Sequence, residues 1–176
     1  MKKQHKKNQN NEDLVINIKV DNKEQIISKY SYDETDKLNK DLSEFIIDKT
    51  KRTPINSNIK LNFYSKTNIE KTEVERTIRN HFTDELLDAK DDLKKSNIIA
   101  LIMLLFGVIT FAILFASYNL FSNIYFEMVM EIAAWVFIWE SVDVIFLQRP
   151  KIRRTCLQYQ KICLAEVEII VDKNNY

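Results

Sequence analysis

Leu14, Ile16, Ile18 and Val20 alternate with Val15, Asn17 and Lys19, the period-two pattern of a half-buried strand. Asp21–Glu24 then reads as a turn and Gln25–Tyr30 as a second strand. Asp33 or Thr35 is placed to cap a helix running to about Lys51, with Leu38, Leu42, Phe45, Ile46 and Lys49 on one face and Pro54 marking its end. Ile59, Leu61 and Phe63 alternate with Lys60, Asn62 and Tyr64 as a further strand. From about Ile69 a long helical pattern follows, its stripe made by Val74, Ile78, Phe82, Leu86, Ala89 and Leu93. The order strand-strand-helix-strand-helix predicts a small α+β domain over residues 13–96.

No Pro or Gly separates that helix from Asn97–Ser117, a run without a single charge, so the two are expected to form one rod. The run holds about 20 residues at 1.5 Å each, the length that crosses roughly 30 Å of hydrocarbon. The chain's one glycine, Gly107, lies mid-run, where a small residue lets another helix approach closely. Ile124–Leu147 is a second apolar run, joined to the first by a few residues. The expectation is a two-helix transmembrane hairpin with spans at 97–118 and 124–147.

Orientation follows from the cations. Lys90, Lys94 and Lys95 precede the first span, and Arg149, Lys151, Arg153 and Arg154 follow the second, whereas the connecting SYNLFSN has neither Lys nor Arg. The positive-inside bias then places both termini on the cytoplasmic side of a cell inner (plasma) membrane, with Tyr118, Phe121 and Tyr125 at the outer interface.

The second run carries Glu127, Glu131, Glu140 and Asp143, and neither run offers Lys, Arg or His to neutralise them. An acid at a helix centre costs about 2.5–3.5 kcal/mol on insertion scales. These four must be protonated, bonded across an oligomer, near headgroups or facing water. Glu127 lies near the outer end, and Asp143 stands about 9 Å along the axis from Arg149, the first residue of the basic cluster with which it can pair. At about 100° per residue, Glu127 and Glu131 share one face and Glu140 and Asp143 roughly the opposite one. One pair is free to line a water-filled path while the other meets a neighbouring helix; packing through protonated carboxyls is the competing account. Rings of acids would favour cations, and two helices cannot enclose a pore, so conduction requires a homo-oligomer. Trp135 and Trp139, four apart at mid-depth, are read as packing groups between helices or as a gate.

Past the spans, residues 148–176 read as a cytoplasmic helix and then a strand, Glu166–Lys173, able to join the sheet edge. Ile152, Cys156, Tyr159 and Cys163 make a narrow 4-3-4 seam, and the cysteines read as small buried hydrophobes in a reducing compartment. Residues 1–12 are polar and Lys-rich without an apolar core, so they read as a disordered tail and not a cleaved signal.

Composition alone would mislead: 45% hydrophobic residues and a mean hydropathy of −0.27 suggest a soluble protein, because a charged first half offsets the apolar runs. The net charge of +1 creates no global field. One glycine excludes a Gly-rich phosphate loop, and with His5 in the tail and His81 on a polar helix side there is no His triad or metal cluster. No catalytic residue, metal site or cofactor is expected, and the chain does not read as an enzyme. Lys49, Lys51, Arg52, Lys60, Lys66, Arg76 and Arg79, with Phe63 and Tyr64 among them, are either a solvated face or a site for an anionic ligand such as a nucleotide.

The segment Glu131–Arg154, EIAAWVFIWESVDVIFLQRPKIRR, resembles one recurring in small bacterial two-span membrane effectors of anti-phage defence, of which the Hailong-type effector channel is one. That resemblance implies an oligomeric ion channel controlled by a nucleotide or oligonucleotide signal from a partner nucleotidyltransferase. The alternatives are a non-conducting anchor or scaffold that presents the α/β domain at the membrane, and a subunit of a larger transporter.

Overall fold

The computed structural model describes residues 13–28, 37–54, 57–67, 69–117 and 124–171. The tail, Asp33, Thr35, Tyr118 and Phe121 lie outside these. The chain divides into two compact units: residues 1–86 with 157–176, and residues 87–156.

The first unit is built on three strands, β1 (Leu14–Val20), β2 (Ile59–Ser65) and β3 (Glu166–Val171), in the order β1-β2-β3 and all parallel. Leu14 pairs with Ile59 and Val20 with Ser65, while Lys60 pairs with Glu166 and Ser65 with Val171. Parallel neighbours need crossovers. Helix α1 (Lys40–Thr50) supplies the first, and the second contains both long helical stretches of the chain. The C-terminal strand read from β-branched composition therefore does join the sheet, beside β2.

The alternation read in β1 and β2 holds. Ile16, Ile18, Val20, Ile59, Leu61, Phe63 and Val167 turn to one face, where they meet Leu42 and Ile46 of α1 and Val74, Ile78 and Phe82 of α2 (Lys71–Ser117), all buried. The expected strand at Gln25–Tyr30 is not one in its described part. Lys23–Gln25 winds into a 3-10 turn, and Ile27 makes only an isolated antiparallel bridge to Leu38. The turn drives Ile26 into the core, and burying that side chain outweighs extending the segment along an edge. Helix α1 starts later than the expected caps imply: Asn39 is its cap, its Oδ1 accepting from the Asp41 amide at 3.0 Å.

α2 is one unbroken helix of 47 residues. By length and composition it is the one helix among the described residues that could cross a membrane. α3 (Ile124–Asp143) is long enough, but every 18-residue stretch of it contains at least three acids. In the second unit α2 and α3 pack antiparallel: Ala100 lies against Ser141, and seven residues on, Gly107 lies against Ala134 and Ile138. The expected second span ends in a π-helical stretch, Val144–Gln148, which passes into α4 (Arg149–Cys163).

Candidate functional site

The helix pair of the second unit is held by small residues. Ala100, Gly107, Ala134 and Ser141 are buried, and the Ser141 hydroxyl donates to the Ala100 carbonyl at 3.0 Å. A Cβ at Gly107 would fall 2.6 Å from Ile138 Cγ1, so any larger residue would force the Ile138 side chain to shift. Phe106 against Phe137 (5.8 Å between centroids) and Phe111 edge-on to Trp135 (6.2 Å) flank the contact. Gly107 thus takes the packing role its size suggested. Its partners were legible too, since Ala100–Gly107 and Ala134–Ser141 repeat a small residue every two turns.

The four acids divide as the helical angles require. Glu127 is half-buried on the side of α3 that turns to α2; Glu131 is exposed at the margin of that side; Glu140 is exposed on the other. Among the described residues none of these three has a hydrogen bond or ion pair. Asp143, half-buried, accepts from the Gln148 side chain at 3.2 Å across the π-helical stretch. The wider helical turn of Val144–Gln148 brings residue i+5 back over Asp143. Trp135 packs on Phe111, but Trp139 is 70% exposed. Within one chain Trp139 packs between no helices, because it points away from α2 at about 140° from Ala134.

The basic residues do not gather. Lys49 and Arg52 stand exposed at the end of α1, Lys49 over the Phe45 ring. Lys51 follows α1 directly. Lys60 lies near one end of β2, bonded at 3.1 Å to Glu166 of β3, whose carboxylate holds the amine above its ordinary range by hydrogen bonding and attraction. Lys66 lies past the other end of β2, about 20 Å away along the strand, facing Asp21 at 3.7 Å. Arg76 and Arg79 are on α2, with Arg79 on Glu75 at 3.0 Å. Phe63 is fully buried, so it cannot stack on a base. The parity of β2 puts it beside Leu61 in the core, as the alternation in Ile59–Phe63 already required.

His81 is not on a solvated face. Its Nε2 lies 2.8 Å from the Ser43 hydroxyl of α1, and burial pushes its pKa below the usual histidine value against the nearby Glu85 and Asp84. Ser43 is buried, and the pair joins α1 to α2. The second half of the C-terminal seam finds its partner inside the chain: Tyr159 packs on Phe82 at 6.0 Å and Cys163 lies 3.8 Å from the Thr83 hydroxyl, with Ile162 buried. Gln158 donates to the Ile47 carbonyl and to the Thr50 hydroxyl, each at 2.7 Å. Lys161 donates to the Pro54 and Ser57 carbonyls, its pKa lowered by burial. Both cysteines are free and half-buried. Among the described residues no group of His, Cys, Asp and Glu could hold a metal ion.

No protein-family model, no curated protein and no solved structure matches the chain.

Proposed function

We propose that the chain crosses a membrane twice, with α2 and α3 as antiparallel spans and both termini cytoplasmic, and that it assembles into a homo-oligomeric, cation-favouring pore controlled at its α/β unit. The observation that carries this reading is the state of Glu131 and Glu140: two exposed carboxylates, without partners among the described residues, on a helix otherwise lined by Trp, Phe, Ile and Val. No Lys, Arg or His occurs between Asn97 and Gln148 to neutralise them. In lipid each would cost about 2.5–3.5 kcal/mol. Water in a path shared by several subunits removes that cost. Being nine residues apart, the two acids stand about 13 Å apart along the axis and on roughly opposite faces of α3, so one lines the water path and the other bonds at the contact with a neighbouring subunit.

The close contact at Gly107 supports a paired second helix, and the cations on either side of the pair support its orientation. The resemblance of Glu131–Arg154 to the anti-phage effectors supports release of a membrane potential as the outcome and a nucleotide-type signal as the trigger. With the basic residues dispersed, that signal would act through a few of them or through a partner protein.

Purified full-length protein in liposomes should pass monovalent cations, and Glu131→Gln or Glu140→Gln should change conductance severalfold. Tight bilayers under every condition that shows oligomers by mass measurement would overturn the pore and leave the anchor that presents its α/β unit.

A further inference from the structure

Among the described residues, the helices that cover the sheet lie on one side of it. The other side consists of the odd-numbered residues of β1 and the even-numbered residues of β2 and β3, and it is exposed along both edge strands. All-parallel sheets are found almost only with both faces covered. Three rows cross this face in register, the first with Lys60 and Glu166, the second with Asn17, Asn62 and Glu168, and the third with Lys19. We infer that this face is an interface with a second copy of the chain, stacked sheet on sheet about a two-fold axis that runs along β2.

Charge selects both the occupant and the axis. The face carries two lysines and two glutamates, so it is neutral overall but divided, with acids on β3 and the edge cation on β1. An axis along β2 sets the β1 of one copy across from the β3 of the other, bringing Lys19 within reach of the second copy's Glu168. That axis also opposes Lys60 to Lys60, each paired with its own Glu166 at 3.1 Å. An axis across the strands would instead oppose Glu168 to Glu168, carboxylates with no ion pair among the described residues, and like charges so placed are penalised. Inside one chain, Lys19 and Glu168 are two strands apart, about 10 Å between strands, and among the described residues neither has an ion pair. They are complementary only between copies.

Asn62 gives an independent indication. It stands in the middle row of the middle strand, where the axis passes. Its Nδ2 donates to Asn17 Oδ1 at 3.3 Å, but its own Oδ1 is buried without a partner. A buried acceptor left unpaired is costly. Sheets stack about 10 Å apart, which is the span of two asparagine side chains joined by a hydrogen bond. A small rotation of each side chain closes a reciprocal Asn62–Asn62 pair on the axis.

Three strands of this length cover about 14 Å by 20 Å. The two faces together bury roughly 600 Å², below the 1,200–2,000 Å² of stable complexes. The contact therefore rests on the homo-oligomer proposed above, whose other contacts would hold the copies together, but it does not require that the chain conduct.

The test is site-specific cross-linking of full-length protein in detergent. Asn62→Cys, with Cys156→Ala and Cys163→Ala, should be joined into a dimer by a bismaleimide spanning about 10 Å, the spacing of stacked sheets. Lys19→Glu or Glu168→Lys should each lower the yield about tenfold, as two attractions become repulsions. Mixing the two charge variants should restore it, because every contact in the mixed pair is again opposite in sign. Asn17→Cys, on an exposed position, gives the same readout with a longer spacer should Asn62→Cys not fold. No cross-link at either position, yields indifferent to charge, or no rescue on mixing overturns the inference. None of these readouts involves ion flux, so failure here and failure of the pore are distinguishable.

Discussion

Gly107 is the position where one methyl group tests the helix pair. In Gly107→Ala the new Cβ would lie 2.6 Å from Ile138 Cγ1 and 3.4 Å from both the Ala134 carbonyl oxygen and the Ile138 amide. The second distance is ordinary contact, so the whole penalty comes from one branched, half-buried side chain. Relieving such an overlap costs about 1–3 kcal/mol. Alanine returns about 1 kcal/mol of helix propensity, so the single variant should lose about 0–2 kcal/mol. Ile138→Ala alone loses about 2 kcal/mol of packing. Combined, the two should recover about 1–3 kcal/mol relative to their sum, since removing Cγ1 removes the overlap. Ser141→Ala is the control: its bond to Ala100 lies two turns along α2 from Gly107, about 10 Å, and its effect should add to that of Gly107→Ala within about 0.5 kcal/mol. The assay is equilibrium unfolding of full-length protein in mixed micelles with increasing SDS, followed by Trp135 fluorescence in a Trp139→Phe background, because Trp135 packs on Phe111 across the pair. Additivity of Gly107→Ala and Ile138→Ala would refute the close approach of the helices at this point.

The remaining predictions concern the α/β unit. His81 is held neutral by burial, so the unfolded chain binds its proton more readily; stability should be full above pH about 6.5, the ordinary histidine value, and fall as pH drops below it. Melting of His81→Gln across pH 5–8 should show a flatter acid limb. Val167→Asp puts a charge at a buried position of β3 and should unfold the unit by several kcal/mol; loss of protected β2 amides in hydrogen exchange reports it, and retained protection would mean that β3 is dispensable.

Much of this fold is written locally. The alternation in Leu14–Val20 and in Ile59–Phe63 fixes which side of each strand is apolar, because successive side chains must point to opposite faces. The unbroken run from Lys71 to Ser117 is helical because nothing in it breaks a helix and because its apolar second half can satisfy its backbone polar groups internally. The division of the four acids into two faces of α3 also follows from helical pitch alone.

Other features depended on residues far apart in sequence. Ile26 reads as a strand residue, but the vacancy it fills is defined by α2 and Leu38, so the chain turns instead of extending. Asn39, Asp33 and Thr35 are all competent caps, and burial of Leu38 decides among them. The separation of Lys60 from Lys66 follows from the extended strand between them, whereas the placement of the other five cations on α1 and α2 around it is invisible in a linear list. His81 looks solvated until α1 brings Ser43 beside it. Above all, that β3 lies parallel beside β2, pairing Lys60 with Glu166, was decided only by tertiary structure, because strand pairing is a long-range contact whose closure more than a hundred intervening residues must permit.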